Sequence, residues 1–510
     1  MIRTLYDQVD LVPSLGGSAD YYMAIIYRAV FPRPPKHAAR VTPALLALLL
    51  AASPANAQAT RDSAIAIIGV TVIDPSTSAS AQAGMIDQTI LVRHGIIEFV
   101  GSSSAVVIPR GTRRVDAKGK FVIPGLWDAH VHFMNAGPNA LPVYLALGVT
   151  SVREMGGFID STRAWQARMR AGKMIGPRIL TPGPILEAPR YLDNVRQRSV
   201  RDPRIGQRVL PYRIGVANAA DAKNAIDSLM TLHVDFVKIR TTESADAYFA
   251  ILREARRAGL KVSGHQPSVV PITIAVDSGQ KDIEHAINPP QSRMSAEARD
   301  SVYLEFAKWG TWYTPTLVVS RAVTMRTDSA RLAIFGDNVL RDDERRAYAS
   351  PWLLEWWRMQ TDEAATDTGS ARVASALDAY ASSVADVRRM HELGVLLLAG
   401  TDAGSVLVYP GFALHEELRL LVEEAGLSPL DALWSATIGP ARFAGLDKEL
   451  GSIATGKIAD LVLLDANPLD NIRNTRRTFA VMQAGHLYSR ADLDVMLRTV
   501  RTTNATPQAQ

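Results

Sequence analysis

The 510-residue chain contains no cysteine. Disulfide frameworks and thiolate metal sites are therefore excluded, and a transition metal would have to be held by imidazole, carboxylate or a modified side chain. Charge of one sign is also scarce: 56 Lys and Arg against 51 Asp and Glu leave +5 at pH 7, which a chain of this length carries as ordinary solvated surface. No nucleic-acid recognition motif or aromatic-spaced basic patch occurs, so nucleic acid is not implied as a partner. Hydrophobic and charged fractions of 47% and 21% lie near soluble averages and argue against disorder. The length allows one large domain with appendages or two to three ordinary ones.

The N-terminus reads as an address. Residues 33–59, RPPKHAARVTPALLALLLAASPANAQA, place a basic stretch before an apolar core at 41–52 and a small-residue Ala55-Asn56-Ala57 end. That is a secretory signal pattern with cleavage expected after Ala57, which predicts an exported, periplasmic or extracellular protein. Its core is too short for a permanent membrane anchor, and no cysteine follows for lipid attachment. Because 32 residues precede the basic stretch, translation is expected to start later, at Met23.

Between residues 65 and 120, short β-rich runs are divided by Gly, Pro, Asp and Ser, and the same texture returns at 456–490. Apolar strands alternate with helical stretches in between. Strands are read ending near His132 and at 148–154, 177–183, 235–240, 260–266, 282–286, 312–319 and 395–404. Eight strands over about 300 residues fit a (β/α)8 TIM-like barrel, which carries its active site at the C-terminal strand ends. The loop 184–213 holds seven arginines, Arg190, Arg196, Arg198, Arg201, Arg204, Arg208 and Arg213, read as solvated charge or as an attractor for an anionic substrate. Residues 320–390 form a helix-rich insertion with Trp352, Trp356 and Trp357 at i, i+4 and i+5. They read as a packed helix face, with a lid over the barrel mouth as the alternative.

The stretch FVIPGLWDAHVHF at 121–133 carries the chemistry. In a strand, Asp128, His130 and His132 point to one side. The other strand ends add Lys238, His265, His285 and Asp402. Taken singly each is a weak signal; six metal-competent residues at corresponding ends of five strands predict a metal site.

These motifs, together with PGLWDAHVH, EHAI, AGTDAG, LHEELRLLVEEAGLSPLDALWSAT and GSIATGKIADLVLLDANPLDNIRNTR, resemble the amidohydrolase superfamily from about residue 63 to 490. The likeness is strongest to its imidazolonepropionase-like and prolidase-like group. The resemblance implies a barrel at 121–446 and a discontinuous β-sandwich from 63–120 plus 447–490, followed by a C-terminal tail at 491–510. It implies that His130, His132 and Asp402 bind one divalent metal, His265 and His285 a second, and that Lys238 bridges them as a carbamate. Zinc suits such ligands, and nickel, manganese, iron and cobalt are compatible. Two metals would activate a bridging water and polarise a scissile carbonyl, with Asp402 as the catalytic proton shuttle. Asp128 and Glu284 are read as orienting imidazoles, although Glu284 should point away from His285 in a regular strand.

Where prolidase-like relatives often carry a second histidine after the fifth strand, this chain has Pro267 in GHQPS. A simple dipeptidase assignment is thereby weakened. Arg240, on the strand face of Lys238, is the candidate for a substrate carboxylate, with a structural salt bridge as the alternative. The expected enzyme hydrolyses an amide-type carbon–nitrogen bond in a small molecule such as a dipeptide, N-acyl amino acid or cyclic amide. Lactone or ester hydrolysis at the same site, one-metal deamination and a non-catalytic metal-stabilised binding protein are the rivals. A homo-oligomer is compatible with all of these.

Overall fold

The computed structural model describes residues 64–77, 84–285, 294–324, 344–364 and 370–506. The stretch 1–57 expected to carry an export signal and parts of the 320–390 insertion lie outside them. No helix among the described residues is long and apolar enough to cross a membrane.

Five strands come first: β1 (Ile65–Val72), β2 (Met85–Arg93), β3 (Ile96–Ser102), β4 (Arg113–Asp116) and β5 (Phe121–Pro124). Short parallel strands follow, with helices between all but β8 and β9: β6 (Leu126–Val131), β7 (Val149–Glu154), β8 (Arg178–Leu180), β9 (Ile185–Glu187), β10 (Arg213–Gly215), β11 (Val237–Ile239), β12 (Val262–His265), β13 (Asp282–Glu284) and β14 (Trp312–Thr314). The chain ends on β15 (Leu461–Leu464), β16 (Thr478–Gln483) and β17 (His486–Ser489).

The two chain ends meet in one hydrogen-bonded sheet of eight strands, ordered β17-β16-β15-β5-β1-β2-β3 with β4 also on β1. Phe121–Pro124, which the sequence reading placed at the start of the barrel, instead joins this sheet between β1 and β15. The C-terminal tail is the helix Arg490–Ala505, capped by Ser489 and Asp492. Its Leu493 and Met496 pack on Leu145, Ala146 and Val481.

The middle of the chain is α/β with parallel sheets, one ordered β6-β7-β8 and the other β10-β9-β11-β12-β13-β14. Asp235 N–H donates to Thr181 O beyond β8, linking the third strand region to the fourth. The segment read as an eighth strand, 395–404, forms isolated parallel bridges to Tyr313 and Val131. Leu398 N–H donates to Tyr313 O and Ala129 N–H to Ala399 O, so this segment lies between β14 and β6. All of β6 is buried, as expected for a strand covered on both faces.

Several strands stop earlier than their apolar runs suggest. β14 ends at Thr314 because Pro315 has no amide hydrogen to donate, and Thr316 then turns left-handed at φ 50°. Leu317–Thr324 is helical rather than extended. The arginine-rich loop is mostly two helices, Pro189–Arg201 and Pro203–Val209, each with proline in its first turn. Outer helices start on side-chain caps, as at Asn218 and Ser244.

Candidate metal centre

The six sequence-predicted residues converge at the C-terminal ends of the parallel strands. His132, Lys238, His265, His285 and Asp402 line one cavity of about 460 Å³, and His130 lies beside them, fully buried. His130 Nε2 is 3.5 Å from Asp402 Oδ1, and His132 Nε2 is 3.1 Å from the same oxygen. The His130 and His285 ring centres are 4.7 Å apart, and those of His265 and His285 4.9 Å. Among the described residues, two groups have donor atoms all within 4.8 Å of one another: His130, His132 and Asp402, and His130, Glu284 and His285.

Local backbone geometry explains the second group. Regular alternation would turn Glu284 away from His285, but His285 adopts φ 65°, a left-handed conformation that histidine tolerates better than most residues. His285 N–H donates to Thr314 O at 3.0 Å, and Tyr313 Oη donates to His285 O at 2.7 Å, which hold the turn. Both side chains therefore reach the site. Asp402, at φ 58°, is similarly fixed by donation of its N–H to His130 O at 2.8 Å. Gly264 permits a further close approach: a Cβ there would sit 1.9 Å from Ile239 O, so only glycine lets β12 deliver His265 beside β11.

The electrostatics suit metal ligation. Burial, reinforced by His285 and Lys238, pushes the His130 imidazole well below its ordinary range, so it is neutral at pH 7. Neither of its ring nitrogens makes a hydrogen bond among the described residues. Such an orphaned buried imidazole is costly unless something fills its lone pair. His265 is held well down by burial and by Lys238. His285 is lowered by burial against the opposing pull of Asp402. Burial raises Asp402, but the hydrogen bond and charge of His132, with His285, outweigh it and hold the carboxyl at about 2. Lys238 is lowered by burial although Glu284 opposes the shift. Imidazoles pushed toward the neutral form at His130, His265 and His285, an ionised carboxylate and a lysine pushed toward its neutral form are a donor set that fits divalent metal.

Beneath the ligands lies a network that sequence reasoning did not find. The buried Arg153 guanidinium donates to Asp282 at 2.7 Å, Ser263 at 3.2 Å, Glu284 at 3.3 Å and Thr314 at 3.3 Å. Lys238 Nζ donates to Glu284 from the other side. Burial raises the Glu284 carboxyl, but Lys238 and Arg153 together pull it below its usual range. Glu417 accepts from Leu317 N–H at 3.0 Å and Val318 N–H at 2.7 Å. It thus braces the turn at Thr316, whose Oγ1 lies 2.8 Å from His285 Nδ1. An inward-facing Arg on β7 was the available signal for the first network; nothing local marks Glu417.

One expectation changes, and the two readings of Arg240 meet. Asp128 orients no imidazole: it accepts from His130 N–H at 3.3 Å and from Thr401 N–H and Oγ1 at 3.1 and 2.6 Å, pinning the segment before Asp402. Arg240 lines the cavity but is also in an ion pair, its Nε donating to Glu187 Oε1 at 2.6 Å. The tryptophans divide between the two readings offered for them. Trp357 is wholly buried and donates to Gly404 O at 3.2 Å, while Trp356 lines the cavity.

Strand-end histidines, an aspartate and a buried lysine thus surround one cavity on an α/β framework. The Amidohydrolase family model matches residues 121–486, and the chain belongs to that family, as a hydrolase acting on carbon–nitrogen bonds. It is 26% identical over 414 residues to an imidazolonepropionase of Symbiobacterium thermophilum, covering 73% of this chain and 82% of the relative. It is 22% identical over 439 residues to ochratoxinase of Aspergillus niger, covering 75% and 78%. Among solved structures, a putative prolidase from Bifidobacterium longum superposes with a TM-score of 0.63 at 26% identity, covering 86% of this chain and 99% of that one.

Proposed function

We infer that the protein is an exported binuclear amidohydrolase that cleaves an amide bond in a small, carboxylate-bearing molecule. The observation that carries this reading is the buried, neutral His130 with both ring nitrogens unpartnered, set among five further donors at one cavity. In this reading the parallel strands and the 395–404 segment close a (β/α)8 barrel, and the sheet from the two chain ends is its accessory β-sandwich domain.

His130, His132 and Asp402 would hold one divalent ion, and His265 and His285 a second, with Lys238 between them. The Lys238 amine, neutral once deprotonated, adds to carbon dioxide and releases a proton, leaving a carbamate that serves as a carboxylate ligand. Zinc matches the imidazole and carboxylate donors. Divalent metal at these residues supplies water activation and carbonyl polarisation. Asp402, ionised and steadied by Ser405 Oγ at 2.9 Å, accepts the proton of the attacking water and delivers it to the leaving nitrogen. Arg240 receives the substrate carboxylate. Relatives named imidazolonepropionase, ochratoxinase and prolidase support carbon–nitrogen cleavage as the reaction.

Elemental analysis of purified wild type beside Lys238→Ala tests the centre. About two metals per chain, falling in the variant, are expected; about one, unchanged by the substitution, would remove the bridging lysine. Asp402→Asn should lower kcat by roughly 100-fold or more if Asp402 carries the proton. Turnover of lactones with none of matched amides would overturn the amide assignment. Amino-terminal sequencing of the released protein, expected to begin at Gln58, tests export.

A further inference from the structure

The turn after β14 uses a threonine in an unusual way. Thr316 stands immediately before the helix Leu317–Thr324, the position from which a threonine hydroxyl ordinarily accepts the N–H two or three residues on. Here the hydroxyl turns away. Its oxygen lies 2.8 Å from His285 Nδ1, and its hydrogen goes to Pro315 O at 2.7 Å. The free N–H groups at the helix start are met instead by Glu417, on the helix Phe412–Glu423. One of its carboxyl oxygens accepts from Leu317 N–H at 3.0 Å and the other from Val318 N–H at 2.7 Å. Thr316 and Glu417 are both fully buried.

Backbone strain marks the same residue. Thr316 adopts φ 50°, in the left-handed region where a β-branched residue is a genuine outlier. Strain of this kind persists where the surrounding structure enforces it, and it clusters at functional sites. Glycine suits the conformation better, but only a side chain can meet the imidazole.

A neutral imidazole has one N–H and one lone pair, and the lone pair is what a metal takes. Which nitrogen keeps it is decided by the partner of the other. A hydroxyl whose single hydrogen is committed to Pro315 O can only accept from Nδ1. His285 then carries its hydrogen on Nδ1, and Nε2 keeps a lone pair for the cavity that this residue lines.

We propose that Thr316 is a positioning residue for the metal centre: it fixes His285 as the Nδ1–H tautomer with Nε2 free, and Glu417 releases it for that task by capping the helix in its place. The tautomer stands on these contacts alone, whereas its consequence for a second metal rests on the binuclear reading. Thr316→Val keeps the branched shape and deletes the acceptor, so the Nδ1–H loses its partner and the ring is no longer held in the ligating form.

Zinc binding to the whole protein, measured against a competing chelator, gives both dissociation constants in wild type and variants. Thr316→Val should raise one of them about 10–100-fold and change the other by less than about twofold. Thr316→Ser should bring both back to within about threefold of wild type. Glu417→Gln, whose amide nitrogen cannot accept an N–H, should shift the same constant in the same direction. Unchanged constants in Thr316→Val, or no recovery with serine, overturn the proposal. So does equal weakening of both constants together with a lower denaturant midpoint, which is what a merely structural role would give. Nitrogen-15 NMR of the histidine-labelled, metal-stripped protein reads the tautomer itself, with the His285 ring signal identified by its loss in His285→Gln. Hydrogen on Nδ1 in wild type, redistributed in Thr316→Val, is expected; hydrogen on Nε2 in wild type overturns the assignment. If wild type takes up a single zinc, the binuclear reading fails, and the NMR result still decides the tautomer.

Discussion

At the strand ends, Arg153, Asp282, Glu284, Ser263 and Thr314 interlock, all of them buried. Across the cavity, the helix Pro351–Ala364 meets the arginine-rich helices through Arg204 and Glu355, whose side chains are 57% and 31% exposed. The two sides of one cavity are thus held by opposite physics. Buried charges are bound tightly to their partners because an unpaired one is prohibitively unstable, whereas exposed pairs are screened and replaceable. The difference teaches where the proposed chemistry stands: the candidate metal ligands rest on a floor of buried, mutually paired charges, and the cover on the opposite wall is held by exposed ion pairs.

The contrast can be broken most severely from below. Arg153→Met leaves two buried carboxylates without their guanidinium and should cost about 3–5 kcal/mol in denaturant unfolding, with metal content falling alongside. Trp357→Ala, which empties a buried site under the cover helix, should cost a similar ~3–5 kcal/mol and shows how far the cover depends on this anchor beside buried Leu353. Acid sharpens the difference between buried and exposed regions. Buried His415, bonded to Leu147 O at 2.9 Å and Thr475 at 3.0 Å, is pushed down to about 4 by burial. Between pH 6.5 and 4 the unfolded chain takes up a proton that the folded one refuses, so stability falls as pH falls. The loss should reach about 3 kcal/mol by pH 4, measured as the difference in pH dependence between wild type and His415→Gln. The smallest effect belongs to the cover surface: Glu355→Gln should change stability by less than about 1 kcal/mol, and raised salt should erase even that.

The same division governs what could be read from the sequence. Residue type at strand ends identified His130, His132, Lys238, His265, His285 and Asp402, because alternation and the strand–helix rhythm are local and survive without coordinates. Glu284 was read as an imidazole-orienting residue, but its direction was expected to be away from His285, because that direction depends on a left-handed turn at His285 and nothing in EHA announces positive φ. Asp128 was given the wrong partner because Thr401 lies 273 residues away in the chain. Arg240 could be placed on the Lys238 strand, but its tie to Glu187 depends on how the third and fourth strand regions pack. Seven arginines in one stretch resembled a loop because helices Pro189–Arg201 and Pro203–Val209 bury only small faces. Strand ends were overextended where Pro315 and the isolated bridges of 395–404 interrupt pairing.

The sheet shared by the two chain ends imposes a timetable on synthesis. β5 pairs with β15 across Pro124–Leu461, Ile123–Val462 and Val122–Leu463, so one of its neighbours is encoded more than 300 residues downstream. A ribosome adds about 5–20 residues per second, which leaves the newborn edge of β5 waiting on the order of tens of seconds for its partner. Throughout that interval Val122 and Ile123, wholly covered in the finished protein, face open solution beside unpaired amides, the arrangement that invites strands from other nascent chains. The last tenth of the message therefore acts as an intramolecular chaperone for the first quarter. A transcript broken just before Leu461 would yield a chain with its strand-end histidines present and a sticky seam left open.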